Sequence, residues 1–97
     1  SSSNIAELQN HKVISKRGLR TIVLPKGYRV LTSNNGSILS TNLDGNLTIT
    51  QIKNPDINTT LELKKTIATA SVQDDIVAVI FADNEIALYS LSSRKLL

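Results

Sequence analysis

The sequence predicts an all-β, mostly antiparallel fold, and three observations carry that prediction. Short runs rich in Val, Ile and Thr alternate apolar with polar residues, the period of a half-buried strand. Asn35-Gly36 and Asp44-Gly45 separate those runs, and both pairs tolerate the positive φ that tight hairpin turns require. The second half of the chain carries no helix signal.

Residues 1–19 read as an N-terminal tether or irregular segment, because Ile5, Ala6 and Leu8 give a helical spacing without enough apolar surface to hold a helix. The β domain spans residues 20–97. It opens on Thr21-Ile22-Val23-Leu24, a β-branched run stopped by Pro25-Lys26-Gly27. Tyr28 to Thr32, Ile38 to Thr41 and Leu47 to Ile52 form a three-stranded meander, and Thr59 to Leu63 supplies a fourth strand after the loop at Pro55. The same grammar then returns: Thr66 to Val72, a turn at Asp74-Asp75, Ile76 to Ala82, a turn at Asp83-Asn84, and Glu85 to Leu91. Ile76 to Ala82 is apolar at every position, which predicts a strand covered on both faces.

Composition narrows the function classes. With 97 residues at 40% hydrophobic and only 3% aromatic, the chain has one small, aliphatic core, with Tyr28, Phe81 and Tyr89 as its large rings. The absence of cysteine excludes disulfides, thiol catalysis and cysteine-ligated metals, and a single histidine, His11, leaves few other transition-metal schemes. The longest apolar run, Ile76 to Ala82, is too short to cross a bilayer as a helix. The N-terminus lacks a hydrophobic signal core, and Ser1-Ser2-Ser3-Asn4 suits either a start behind a removed signal or a chosen boundary.

Sliding the chain on itself brings Asp44-Gly45-Asn46-Leu47-Thr48-Ile49 over Asp83-Asn84-Glu85-Ile86-Ala87-Leu88, an offset of 83 − 44 = 39. At that offset Asn35-Gly36 also falls on Asp74-Asp75. A repeat near 40 residues built of four short strands is the period of a propeller blade, and it divides the domain at about 28–66 and 67–97. A twisted sheet of this kind has an apolar face on each side that a neighbouring unit must cover.

The stretch from Asp83-Asn84-Glu85-Ile86-Ala87-Leu88 through Arg94-Lys95-Leu96-Leu97 resembles the quinoprotein-like (PQQ-type) propeller repeat. In that repeat an Asp-Gly turn precedes an alternating strand, and a polar turn leads into a Lys-Leu-Leu-like start of the next. Asn84 stands in place of the turn glycine and Arg94 in place of the second, and the longer connection from Lys53 to Thr60 departs further from the pattern. The motifs are shared with WD-type propellers and cover at most two units. The resemblance implies four-stranded antiparallel meanders forming a fragment of a β-propeller, since two blades cannot close one, with the next strand beginning around Lys95-Leu96-Leu97. If the residues fold alone, a small closed β-barrel or a sandwich is the alternative.

Candidate sites are few. No Gly-x-Ser-x-Gly elbow, phosphate-cradling glycine loop or partner for His11 is present, so no catalytic residue, cofactor-binding residue or metal ligand is assigned and the chain does not read as an enzyme. Asp44, Asp74, Asp75 and Asp83 sit at turns, where carboxylates bond the local backbone, and Asp74-Asp75 fits no dedicated calcium loop. The net charge of +3 concentrates in Lys16, Arg17, Arg20, Lys26 and Arg29, the one candidate basic interaction patch. No aromatic residues interleave Lys16 to Arg20 for base stacking.

These features predict a non-catalytic protein-interaction or scaffolding module whose partners are other proteins or the remainder of a longer parent chain. Isolated, it is expected to self-associate through Ile76 to Leu91. The resemblance extends to bacterial envelope lipoproteins that scaffold outer-membrane protein assembly, which would place the chain in the periplasm or at the outer-membrane periphery. The absence of tryptophan argues against a quinone-cofactor enzyme. The rival reading is a small basic β-barrel that binds nucleic acid or another polyanion.

Overall fold

The computed structural model describes residues 12–16 and 19–97, with side chains from Thr21 onward, and every described regular element is a strand. Strands β1 (Lys12–Lys16) and β2 (Leu19–Val23) pair antiparallel in a two-stranded sheet. β1 falls inside the segment expected to be a tether. The reason lies in its β-branched pair: Val13 and Ile14 stand opposite Ile22 and Thr21, residues already marked as a strand.

The first large sheet runs in the order β3 (Arg29–Asn34), β4 (Ser37–Thr41), β5 (Asn46–Gln51) and β6 (Asn58–Glu62), all antiparallel. The second holds β7 (Ile67–Gln73), β8 (Ile76–Phe81) and β9 (Ile86–Ser90), also antiparallel. Neither sheet closes on itself, so the barrel alternative is not what the described strands form.

Local chemistry fixes each turn. Asn35 and Gly36 both have positive φ (49° and 78°), as a two-residue hairpin turn between right-twisted strands requires, whereas at Asp74-Asp75 only Asp74 does (54°). Asp44-Gly45 was expected to be a turn of the same two-residue kind and is not. The strands part at the pair Thr41 and Leu47, and the connection is a wider loop in which Gly45 N–H donates to the Asn42 carbonyl at 3.2 Å. The cause is Asn42, whose side-chain oxygen accepts from the N–H of both Asp44 (3.1 Å) and Asn46 (3.0 Å) and so holds the wider loop shut.

The repeat is exact in pairing over the second hairpin of each sheet. Ser37↔Gln51, Ile38↔Thr50, Leu39↔Ile49, Ser40↔Thr48 and Thr41↔Leu47 recur as Ile76↔Ser90, Val77↔Tyr89, Ala78↔Leu88, Val79↔Ala87 and Ile80↔Ile86, each residue displaced by 39. Loop bonds recur at the same spacing. Gly45 N–H to Asn42 O matches Asn84 N–H to Phe81 O, and Ile52 N–H to Gly36 O matches Leu91 N–H to Asp75 O. Gly45 and Asn84, at φ of 82° and 72°, are the corresponding left-handed residues. The leading strands differ: β3 bulges at Leu31, three pairs from its turn, and β7 at Ala68, five pairs from its turn.

One aliphatic core lies between the two large sheets. Leu39, Leu47, Ile49 and Leu61 of the first pack with Ile67, Ala70, Val72, Val77, Val79 and Phe81 in a single buried cluster. Burying a Val, Leu, Ile or Phe side chain contributes about 1.5–3 kcal/mol, so this interface dominates the exposed polar contacts nearby. Two side chains of β3 tie the layers at their margin. Arg29 donates to the Ile67 carbonyl at 3.1 Å, and Asn34 accepts from Val72 N–H at 3.0 Å.

The apolar run of β8 is covered on one face only, against the expectation of two. Val77 and Val79 are fully buried and Phe81 nearly so, while Ile76 and Ile80 are 47% and 37% exposed. Alternation in the pleat sends successive side chains to opposite faces, and only one face meets the first sheet.

Val79→Asp places an unpaired carboxylate in this core and should cost about 3–5 kcal/mol, read as loss of the cooperative melting transition, whereas Ile80→Asp on the open face should leave it nearly unchanged. Equal sensitivity of the two positions would contradict the one-sided burial. A Cβ on Gly45 would collide with the backbone N and O of Lys65. Gly45→Ala should therefore cost about 2 kcal/mol or more, while Asn84→Gly should move the urea midpoint little or upward. The reverse order would show the two turns to be unrelated.

Candidate functional site

Of the five basic side chains grouped by the sequence, the structure describes two. Lys26 is exposed in the turn before β3, and Arg29 is spent on the Ile67 carbonyl, bracing the two sheets at 3.1 Å. Lys16 and Arg20 belong to β1 and β2, with their side chains outside the described residues, as are Arg17 and His11 altogether. Lys26 and Arg29 are thus placed, and a five-residue patch is not assembled from the described side chains.

The turn carboxylates do structural work. Asp75 accepts from Ser90 Oγ (2.7 Å), Ser92 Oγ (2.9 Å) and Ser92 N–H (2.9 Å), fastening the segment after β9 to the β7–β8 turn. The Ser90 hydroxyl, then the Ser92 hydroxyl and backbone N–H, hold the Asp75 carboxyl below its ordinary value of 3.8. Asp83 is lowered chiefly by Lys65, whose ammonium lies 2.7 Å from Asp83 and 2.8 Å from Glu85, and 4.9 Å above the Phe81 ring. Lys65 is correspondingly raised, first by Asp83 and then by Glu85. Among the described residues no three His, Cys, Asp or Glu side chains gather where they could hold a metal ion.

Two surfaces remain. An open cleft of about 780 Å³ runs along the free edge of β6 and reaches the second sheet, lined by Tyr28, Asn58, Glu62, Leu63, Tyr89 and Arg94 among others. Its lining is polar and includes Tyr28 and Tyr89, two of the chain's three large aromatic rings, which lie 61 residues apart and carry no shared signal in the sequence. The second surface is the outward face of the β7–β9 sheet, where Ile76, Ile80, Ile86 and Leu88 are 47%, 37%, 66% and 45% exposed around the half-buried Ala78. The pairs Ile80↔Ile86 and Ala78↔Leu88 place these residues side by side across β8 and β9.

Compared with protein-family models, with characterised proteins and with solved structures, the chain finds no match. Among the described residues no helix is long and apolar enough to cross a membrane.

The outward face was hidden in the sequence by its own regularity, because a run apolar at every position looks the same whether one face or two are covered. The signal that separates the cases lies on the neighbouring strand, where Thr69, Ser71 and Gln73 pair with Ile80, Ala78 and Ile76 and are exposed beside them.

The Asp75 clamp carries a defined pH dependence. A carboxyl with a depressed folded-state value adds stability above its unfolded value and loses it as the pH falls toward the folded one. The melting temperature should therefore drop as the pH is taken below about 4, less steeply in Asp75→Asn than in the parent. An identical acid slope in the two proteins would mean that Asp75 does not hold the 90–92 segment in solution.

Proposed function

We propose that the chain is a non-catalytic protein-interaction module of scaffolding type, made of successive units of a propeller-like repeat. One observation carries the reading. The second sheet presents a row of aliphatic side chains whose counterparts, 39 residues earlier, lie at the buried contact between the sheets: Leu39, Thr41, Leu47 and Ile49 are at most 3% exposed, while Ile80, Ile86 and Leu88 are open. A side of the molecule built like an interface and left uncovered is a docking surface, since contiguous apolar patches on soluble domains mark interaction sites.

The polyanion reading draws on the basic residues instead. It loses Arg29 to the bond with Ile67, and the rings at Tyr28 and Tyr89 line a cleft that also holds Glu62. Titration into heparin and a fluorescent single-stranded oligonucleotide separates the two readings. An apolar docking module should show no binding that collapses with salt. An affinity that falls by about 10³-fold or more between 50 and 200 mM salt, and that weakens on Lys26→Glu, would transfer the function to the polyanion reading.

A further inference from the structure

We propose that the outward face of the β7–β9 sheet is the seat of a third unit of the same repeat, carried on the same polypeptide, which packs on Ile76, Ala78, Ile80, Ile86 and Leu88 as the second sheet packs on the first. This names the occupant of the surface identified under the interaction-module reading and rests on that reading.

The first argument is positional. Ala78, Ile80, Ile86 and Leu88 occupy the ladder positions of Leu39, Thr41, Leu47 and Ile49; of these Leu39, Leu47 and Ile49 share one buried cluster with Val72, Val77, Val79 and Phe81, and Thr41 is buried on the same face of the first sheet. The occupant therefore has stated chemistry: an antiparallel sheet presenting aliphatic residues and an aromatic ring at those positions.

The second argument is polar. Asn34 accepts the Val72 N–H across the boundary between the sheets, and Gln73, 39 residues later, holds the same place beside the open face as an exposed side-chain amide. An amide in that position can accept from the leading strand of the next sheet in the same way.

The third argument comes from the sheet edge. In the first sheet Thr50 pairs with Asn58, the start of β6. In the second, Tyr89 forms an isolated antiparallel bridge with Leu96, and Leu97 N–H donates to the Leu88 carbonyl at 2.9 Å. The backbone after β9 thus turns back to begin a fourth strand along the second sheet, which is the strand that leads from one unit into the next.

A second copy of the chain is the competing occupant, and two facts weigh against it. Head-to-tail stacking would need the first sheet's back face, where Ser40, Thr48 and Thr50 stand at the positions of Val79, Ala87 and Tyr89; these hydroxyl-bearing residues are fully buried already. Face-to-face pairing would bury a patch on the order of a few hundred Å², short of the about 800 Å² per partner of a stable complex between separate molecules. Covalent connection removes the need for so large an area by raising the effective concentration.

The test compares the 97-residue chain with one extended by a repeat of its own residues 60–97 placed after Leu97, since Leu96 stands where Asn58 does and Leu97 where Thr59 does. Ile80→Asp and Leu88→Asp, made only in the original positions, should hardly move the urea midpoint of the parent. In the extended chain they should lower it by about 1 M or more, and extension should slow amide exchange in β9 and reduce binding of the apolar dye ANS. Extension that leaves both substitutions neutral and dye binding unchanged overturns the proposal. So does a parent chain that sediments as a dimer and becomes monomeric on Leu88→Asp, which would make a second copy the occupant. Neither result depends on polyanion binding, so failure here is distinguishable from failure of the interaction-module reading.

Discussion

The chain passes from the first sheet to the second through residues 63–66, and that link can lie where it does only because Gly45 has no side chain. The backbone of Lys64 and Lys65 runs against the Gly45 Cα, the Gly45 carbonyl accepts from Leu63 N–H at 2.9 Å, and Lys64 itself adopts a left-handed φ of 58°. A sharp reversal follows directly on the edge strand β6, and the next strand emerges in a new layer instead of extending the old sheet. The aliphatic core, the Arg29 and Asn34 ties, and the Lys65 ion pairs all presuppose that reversal.

The two units share a backbone plan and divide their chemistry differently. On the first sheet the side turned away from the core carries hydroxyls, with Thr48 and Thr60 bonded to each other at 2.9 Å. The corresponding positions of the second sheet carry Val79 and Ala87 and face the core, because there that side is the one turned to the neighbour. The same pleat therefore holds buried hydroxyls in one unit and aliphatic core residues in the other. Low residue identity between the units follows from this exchange of environment, while the pairing register, which depends on turn geometry, is kept.

How much of this could be read from the sequence varies with the range of the interaction. Alternation and turn residues mark the strands of both large sheets, and the 39-residue spacing shows in the turns at Asn35-Gly36 and Asp44-Gly45 falling on Asp74-Asp75 and Asp83-Asn84, since hairpin chemistry is local. The wider loop does not show in the Asp44-Gly45 pair, because the side chain of Asn42, two residues upstream, decides the loop length. β1 was missed because Val13-Ile14 is too short to stand out without its partner β2. Arg29 was grouped by charge with its neighbours along the chain, yet its bond goes to Ile67, a residue 38 positions away. One-sided burial of β8 belongs to the same class, as it depends on which sheet arrives from elsewhere.

The displaced bulges bear on how such a repeat can vary in length. Leu31 interrupts β3 three pairs from its turn and Ala68 interrupts β7 five pairs from its turn, a difference of two rungs. Two rungs is one full pleat, so the longer strand still directs Val72 and Ala70 to the core and Ser71 and Thr69 away from it. A difference of one would have turned every side chain beyond it to the wrong side. The leading strands of the two sheets thus differ by two rungs while the hairpin that follows each keeps the same pairing and the same inward and outward faces.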